Sequence, residues 1–298
     1  MRDKFGREIG SFRISITNKC NLNCFYCHKE GHNSNNGRYM TAEEIGLIAK
    51  TSTKFGVRKV KISGGEPLLR KDICEIIENI KDEKIKDISL TTNGILLENL
   101  ADKLKDAGLD RVNVSLDTLN PELYKKITKF GDVNKVVNGI KRAIEEELTP
   151  LKVNFLAMSI NIKELPEIME FCRDVGAILQ IIEFIPLKEG LKKYYYDISS
   201  IENEIKEKAD KVITRKFMQN RRKYILDDGL EVEFVRPMDN SEFCMHCTRI
   251  RLTYDGYLKP CLLRDDNLVD ILTPLRRGEN LEPYFIECIN RREPYFKL

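Results

Sequence analysis

The stretch Asn18-Lys19-Cys20-Asn21-Leu22-Asn23-Cys24-Phe25-Tyr26-Cys27-His28 decides how the rest of the chain is read. Its three cysteines, spaced C-x3-C-x2-C, follow the alternation Phe12-Arg13-Ile14-Ser15-Ile16-Thr17 and so occupy a loop at the end of a strand. Thiolates this close in a polar turn suit a metal, and three of them leave one position of a tetrahedral or cubane site open. An iron-sulfur cube with one open iron fits that count. Zinc would need His28 as fourth ligand in cramped C-x2-C-H spacing. The same residues match the haem attachment pattern, which usually accompanies export and has no use for Cys20. Three unconnected core cysteines fit poorly in a turn rich in Asn and Lys.

The composition supports a soluble globular protein. The chain has 298 residues, 42% apolar and 33% charged, with a net charge of +3. That length allows one large domain or two smaller ones, and the charge gives no general reason for a nucleic-acid or membrane partner. No apolar run approaches the ~20 residues of a membrane span, and the segment Met1–Glu8 lacks the apolar core of a signal peptide. A cytoplasmic location is expected, where nine cysteines stay reduced and the clustered ones call for metal or catalysis. Cys74, Cys172 and Cys288 stand alone in helical-looking segments and read as core residues.

Outward from the cysteine loop, strand and helix patterns alternate. Strands are expected at 11–17, 57–63, 87–92, 110–116, 151–157 and 178–184, with helical segments from Thr41-Ala-Glu-Glu44 to about Phe55, at 71–81, 97–107, 121–147 and 163–174. This is a parallel α/β array. Side chains alternate at period two, so Phe12, Ile14, Ile16, Val60, Ile62, Leu90, Val112, Val114, Leu116 and Val153 fall on faces suited to packing under helices. The opposite faces carry Arg13, Ser15, Thr17, Lys59, Lys61, Ser63, Thr91, Asn93, Asn113, Ser115, Asp117, Lys152 and Asn154. A six-stranded open barrel with a wet, cationic lumen fits, and it would hold an anionic small molecule. The alternative is a two-layer sheet with one solvated face, which parallel sheets seldom show. Ser63-Gly64-Gly65-Glu66-Pro67 ends the second strand, where paired glycines let backbone approach a ligand closely.

From Leu187 the rhythm stops. A basic, tyrosine-rich connection Lys188–Tyr196 leads to a helix at 199–211, a hairpin around Asp227-Asp228-Gly229 (strands Lys223–Leu226 and Leu230–Val235), and helical stretches at 273–278 and 281–291. A second cysteine set, Cys244-Met-His-Cys247 with Cys261, is spaced C-x2-C-x13-C. It offers three thiolates again. Zinc completed by His246 is the competing reading, although that histidine lies inside the turn it would have to close. An extended Cys247–Thr253 puts Cys247, Arg249 and Arg251 on one face, guanidiniums beside the metal.

The C-x3-C-x2-C loop with an aromatic before its last cysteine resembles the signature of the radical S-adenosylmethionine (SAM) superfamily, and Gly-Gly-Glu-Pro resembles its second motif. With the C-terminal cysteines and Thr248-Arg249-Ile250-Arg251, nearly the whole chain resembles the MoaA family, GTP 3',8-cyclases of molybdenum cofactor biosynthesis. The resemblance implies a partial (β/α)6 barrel over 1–190 and a smaller α+β cluster-binding domain over 191–298. It implies two 4Fe-4S clusters, on Cys20, Cys24 and Cys27 and on Cys244, Cys247 and Cys261. Tyr26, Gly65 and Ser115 would contact SAM, and Arg13, Lys61, Thr91, Lys152, Arg249 and Arg251 would bind GTP, with Lys59 a further candidate. No side chain is assigned as a catalytic acid or base. GTP, an electron donor protein and a downstream enzyme forming the cyclic pyranopterin are the implied partners, and a homodimer is left open. The family's Gly-Gly end is replaced by Pro294-Tyr-Phe-Lys-Leu298, and Gln180 and Ile185 stand where a basic residue and a methionine are usual. Two competing readings are a two-cluster peptide-modifying radical SAM enzyme and a non-catalytic iron-sulfur or zinc module. P-loop GTP hydrolysis is disfavoured, since no G-x4-GK[ST] is present.

Overall fold

The computed structural model describes residues 1–32, 34, 36–238 and 240–295, so Phe296, Lys297 and Leu298 of the altered C-terminus lie outside the described residues. Six strands, β1 (Ser11–Ser15), β2 (Lys59–Ser63), β3 (Asp87–Thr92), β4 (Arg111–Ser115), β5 (Lys152–Ala157) and β6 (Ile178–Glu183), are parallel neighbours in chain order. Between them run α1 (Ala42–Ser52), α2 (Ile73–Ile80), α3 (Ala101–Asp106), α4 (Pro121–Thr128), α5 (Val133–Glu145) and α6 (Leu165–Val175). The expected α/β barrel strands are all present.

Local chemistry sets the helix ends. The Thr41 hydroxyl accepts from the Glu44 N–H at 3.2 Å and the Glu44 carboxylate accepts from the Thr41 N–H at 2.9 Å, a reciprocal cap that starts α1. Gly176, at φ 70°, stops α6. The single helical region expected over 121–147 is two helices, because Lys129 at φ 74° breaks the first and Asp132 caps the second.

The C-terminal third comprises α7 (Ser199–Glu207), β7 (Ala209–Arg215), β8 (Arg221–Leu226), β9 (Glu231–Val235), α8 (Ser241–Met245), β10 (Arg249–Leu252), β11 (Tyr257–Lys259), β12 (Val269–Asp270), α9 (Leu272–Arg276) and α10 (Glu282–Asn290). The helix expected over 199–211 therefore ends early. Val212-Ile213-Thr214 are β-branched and pair antiparallel with β8, which extended backbone satisfies better than helix. These strands extend the barrel sheet at both edges: β10 pairs parallel with β1 and β9 parallel with β6, giving the order β12-β11-β10-β1-β2-β3-β4-β5-β6-β9-β8-β7. The two edges meet where Gln219, in the β7–β8 turn, accepts from the Arg249 guanidinium on β10, and where the Thr248 hydroxyl donates to the Phe217 carbonyl at 3.4 Å.

The outward faces of the strands form the core. Phe12, Ile14, Val60, Ile62, Leu90, Val112, Val114 and Val153 are fully buried beneath the helices, each contributing on the order of 2 kcal/mol. Among the described residues no helix is long and apolar enough to cross a membrane.

Both chain ends are tied to one buried ion cluster. Asp3 takes the Arg7 Nε at 2.7 Å and lies 2.9 Å from Arg292 Nη1, while Arg7 donates to the carbonyls of Cys244 (3.2 Å), Glu293 (2.6 Å) and Pro294 (3.0 Å). Arg292→Ala should lower the unfolding free energy by about 3 kcal/mol, because it removes one partner of a buried pair. Chemical denaturation checks this, and a loss below about 1 kcal/mol would place the restraint on Arg7 alone.

Candidate active site

The first cysteine loop is fixed by backbone contacts from three sides. Asn23 and Phe25 donate their N–H groups to the carbonyls of Thr128 (3.0 Å) and Ile127 (3.2 Å) at the end of α4, and Cys27 N–H closes a turn on the Cys24 carbonyl at 3.1 Å. From the β2 end, Gly65 N–H donates to the Thr17 carbonyl and Glu66 N–H to the Lys19 carbonyl, both at 2.7 Å. A Cβ at Gly65 would stand 2.2 Å from the Lys19 oxygen, so this approach admits glycine only.

Two buried carboxylates brace the loop. Glu66 accepts from the Thr92 hydroxyl (2.7 Å), the Asn93 N–H (2.8 Å) and the Leu68 N–H (3.0 Å). Burial pushes it up to about 7 against those bonds. Asn93 in turn donates to Asn21 at 2.8 Å and, at 3.9 Å, to the Cys20 sulfur. Asp117 accepts the Tyr26 hydroxyl at 2.6 Å and the Leu156 N–H at 2.9 Å, and burial lifts it to about 6. The sequence placed Glu66 and Asp117 within motifs without giving either a role; Glu66 reaches the loop through Asn93, 73 residues from Cys20, and Asp117 lies 91 residues from Tyr26, separations that conceal the bracing.

All three thiols are free, with Cys20 and Cys27 exposed and Cys24 half-buried. Backbone N–H groups of Leu22 and Lys29 donate to the Cys20 and Cys27 sulfurs at 3.4 Å, while burial raises the Cys20 thiol and pushes the Cys24 thiol up to about 12. Among the described residues no three His, Cys, Asp or Glu side chains could hold a single metal ion. A cubane, which spreads its ligands over separate corners, suits these donors. Cys244, on α8, with Cys247 and Cys261, is half-buried and outside any disulfide. Burial raises the Cys247 thiol, but the charges of Arg249, Arg292 and Arg251 outweigh it and hold the group low. Both sets fit iron-sulfur ligation.

Strand register assembles the lumen. Arg13 on β1 is paired with Arg251 on β10 and with Lys61 on β2, and Asn113 on β4 lies between Thr91 and Lys152. Ser115 pairs with Asn154, which pairs with Gln180, which pairs with Glu233. Lys61 donates to Asn113 at 3.0 Å without an ion pair among the described residues. Burial and the charges of Arg111, Arg13, Lys152 and Arg249 hold its amine well below the ordinary lysine value. Arg249 and Arg251 are pushed down to about 10, chiefly by burial and then by neighbouring guanidiniums.

Two carboxylates offset this charge in part. Glu30, at φ 54° in the segment after Cys27, lies 3.0 Å from Arg13 and 3.5 Å from Arg251. Glu233 on β9 pairs with Lys152 at 2.6 Å and with Arg215. Arg221 on β8 donates to the Gln180 side chain at 3.0 Å, so position 180 is occupied by an amide that carries a cation from the next hairpin. The lumen therefore holds Arg13, Lys61, Lys152, Arg215, Arg221, Arg249 and Arg251 against Glu30 and Glu233, and the buried Arg251 Nη1 makes no hydrogen bond. Arg215 and Arg221 were missed in the sequence; the Arg221–Lys223 alternation was their one signal. Lys59 lies on the same strand face as Lys61 but is exposed.

Comparison with known proteins agrees with this architecture. Residues 14–172 match the radical SAM superfamily and residues 177–298 the family described as Molybdenum Cofactor Synthesis C. The chain is 88% identical over the full length of both proteins to a "Probable GTP 3',8-cyclase" of Methanocaldococcus jannaschii. It is 48% identical to one of Methanothermobacter thermautotrophicus, over 99% of each chain. Among solved structures, Streptococcus suis SuiB bound to S-adenosylmethionine superposes with a TM-score of 0.63 at 18% identity over 85% of this chain, which spans 58% of that protein. The structure described as native anSMEcpe with bound AdoMet superposes with a TM-score of 0.61 at 20% identity, over 87% of this chain and 76% of that one.

Gly65→Ala should cost about 1–3 kcal/mol of stability through forced separation of the two loops, and should reduce iron bound per chain after anaerobic reconstitution. Full iron content with unchanged stability would show that the loops tolerate the wider spacing.

Proposed function

Because the chain belongs to the radical SAM superfamily and, over its full length, to the GTP 3',8-cyclase family, we propose that its cationic lumen binds GTP for conversion to 3',8-cyclo-7,8-dihydro-GTP, in the first step of molybdenum cofactor biosynthesis. It is a radical SAM lyase. The observation that carries the substrate reading is the set of seven lumen cations offset by two carboxylates, with one buried guanidinium nitrogen lacking a hydrogen bond. A triphosphate supplies the missing negative charge and the acceptors.

Cys20, Cys24 and Cys27 would hold one 4Fe-4S cluster, and Cys244, Cys247 and Cys261 a second. When bound, the first cluster would supply the electron that releases a 5'-deoxyadenosyl radical from SAM to take hydrogen from C3' of the GTP ribose, and once C3' is bonded to C8 one further electron and a proton would be needed to give the 7,8-dihydro product. Gly65 presents backbone to SAM, Tyr26 is aimed by Asp117, and Ser115 stands on the lumen row beside Asn154. Arg13, Lys61, Lys152, Arg249 and Arg251 grip the triphosphate, with Thr91 alongside, and so fix the ribose against the radical source while water is excluded. Residues 1–190 serve as the radical-generating barrel and 191–298 as the part carrying the second cluster. A protein electron donor and a downstream pyranopterin-forming enzyme complete the sequence of reactions, in the cytoplasm.

The decisive experiment uses protein reconstituted without oxygen and reduced with dithionite. SAM is added with and without GTP, and 5'-deoxyadenosine and nucleotide products are followed by mass spectrometry. GTP-stimulated cleavage with formation of a GTP isomer is expected. SAM cleavage with untouched GTP would overturn the substrate reading.

Arg249→Ala should weaken GTP binding by about 10-fold or more while leaving SAM cleavage in place, as read by calorimetry and deoxyadenosine yield. Equal loss of both would remove Arg249 from the substrate site. Lys61 gives a pH test. Its amine is held well below 10.5 in the free protein, and a neighbouring triphosphate would raise it. Binding should therefore take up protons, and GTP affinity should fall as pH rises from the depressed free value toward the ordinary one. Calorimetry in two buffers of different ionisation enthalpy reads the uptake, which Lys61→Met should reduce, leaving the part due to Lys152, whose amine is lowered to about 7.

A further inference from the structure

A second cleft lies outside the lumen, where the first cysteine loop meets the end of α4. It is open and of about 270 Å³, with Phe25 and Tyr194 in its wall and Lys126, Lys129 and Lys193 among its lining residues. The Phe25 and Tyr194 ring centroids are 4.5 Å apart. Phe25 follows Cys24 directly, and its N–H is bonded to the Ile127 carbonyl, so the cleft and the thiol loop form one fixed unit.

The charge around this cleft differs from that of the whole molecule. The chain carries 50 Lys and Arg against 47 Asp and Glu. Segments 125–130 and 188–194 together contain six lysines and one acid, Glu189, which is already paired with Lys192 at 2.7 Å. Among the described residues no ion pair ties down Lys126, Lys129 or Lys193, and all three are exposed. Next to Lys129, Phe130 is 75% exposed. A basic rim around exposed aromatic surface is what a small acidic protein would recognise.

We propose that this cleft is the docking site of an acidic one-electron carrier protein, with Phe25 forming the contact nearest the thiol loop. The inference rests on the cyclase reading, which requires an electron from outside. In the step itself one electron leaves the carrier, which is oxidised, and reduces the iron-sulfur group that Cys20, Cys24 and Cys27 would hold; no bond is made or broken. Redox encounters bury little surface, under about 1,200 Å², and depend on charge steering. An open cleft lined by three lysines without ion pairs among the described residues, Lys193 lying 5.1 Å over the Tyr194 ring, fits such an encounter. A small nucleotide would instead want an enclosed site, and none of the residues lining this cleft is a buried polar group.

The test uses the reconstituted full chain and a plant-type [2Fe–2S] ferredoxin as the acidic carrier. Association is measured by calorimetry across a salt series, alongside SAM binding and dithionite-driven deoxyadenosine formation. The variant K126E/K129E/K193E should bind ferredoxin about 10-fold or more weakly at low salt, with a flatter salt dependence. It should retain SAM binding and dithionite-driven cleavage. The control K81E/K84E/K86E changes net charge equally on exposed residues before β3, at the opposite end of the strands, and should bind ferredoxin as the unmodified chain does. Three results would overturn the proposal: no ferredoxin binding by the unmodified chain at low salt, equal weakening by both variants, or loss of SAM binding with ferredoxin binding intact. The last would assign the cleft to SAM. Failure of the cyclase reading would appear separately, in the dithionite assay, which uses no carrier.

Discussion

Arg251, Arg13 and Lys61 stand side by side on three adjacent parallel strands, in register, facing one lumen. Strands lie about 4.8 Å apart, so at an effective dielectric near 20 each neighbouring pair of charges would repel by about 3 kcal/mol. No fold adopts such a row by default. It is held because the same strands present Phe12, Ile14, Val60 and Ile62 to the helices, and a shift of register by one residue would expose that core. The apolar face fixes the register, and the register fixes the cations.

The protein lowers the cost with carboxylates placed by unusual means. Glu30 follows the thiol loop in left-handed backbone and reaches both Arg13 and Arg251, while Glu233 arrives on a strand added to the far edge of the sheet. Glu30 thus joins the segment that leaves Cys27 to the cationic row on β1 and β10.

Much of this was legible in sequence because it follows from short-range pattern. Period-two alternation separated Arg13 and Lys61 from Phe12 and Ile62, and cysteine spacing located both thiol sets. What was not legible depends on long-range pairing. Helical periodicity over 199–211 ran into β7, whose strand state comes from its partner β8 rather than from its own residues. Arg221 reads as one of several surface cations until β8 is placed beside β9, and β9 beside β6, which brings its guanidinium to Gln180. The buttressing of the thiol loop by Glu66 and Asp117 has the same character, since each acts on a partner far away in the chain.

The edge strands also explain why the second thiol set and the cations are not separable features. Cys247 is two residues from Arg249, and β10 carries Arg249 into the lumen only because it pairs with β1. The Cys247 carbonyl accepts from Arg292, which is ion-paired with Asp3, and the Cys244 carbonyl accepts from Arg7, which also holds the carbonyls of Glu293 and Pro294. Both ends of the chain are thereby gathered at the second thiol loop. Arg7 alone therefore ties the N-terminal segment, the Glu293-Pro294 backbone and the Cys244 carbonyl to one point.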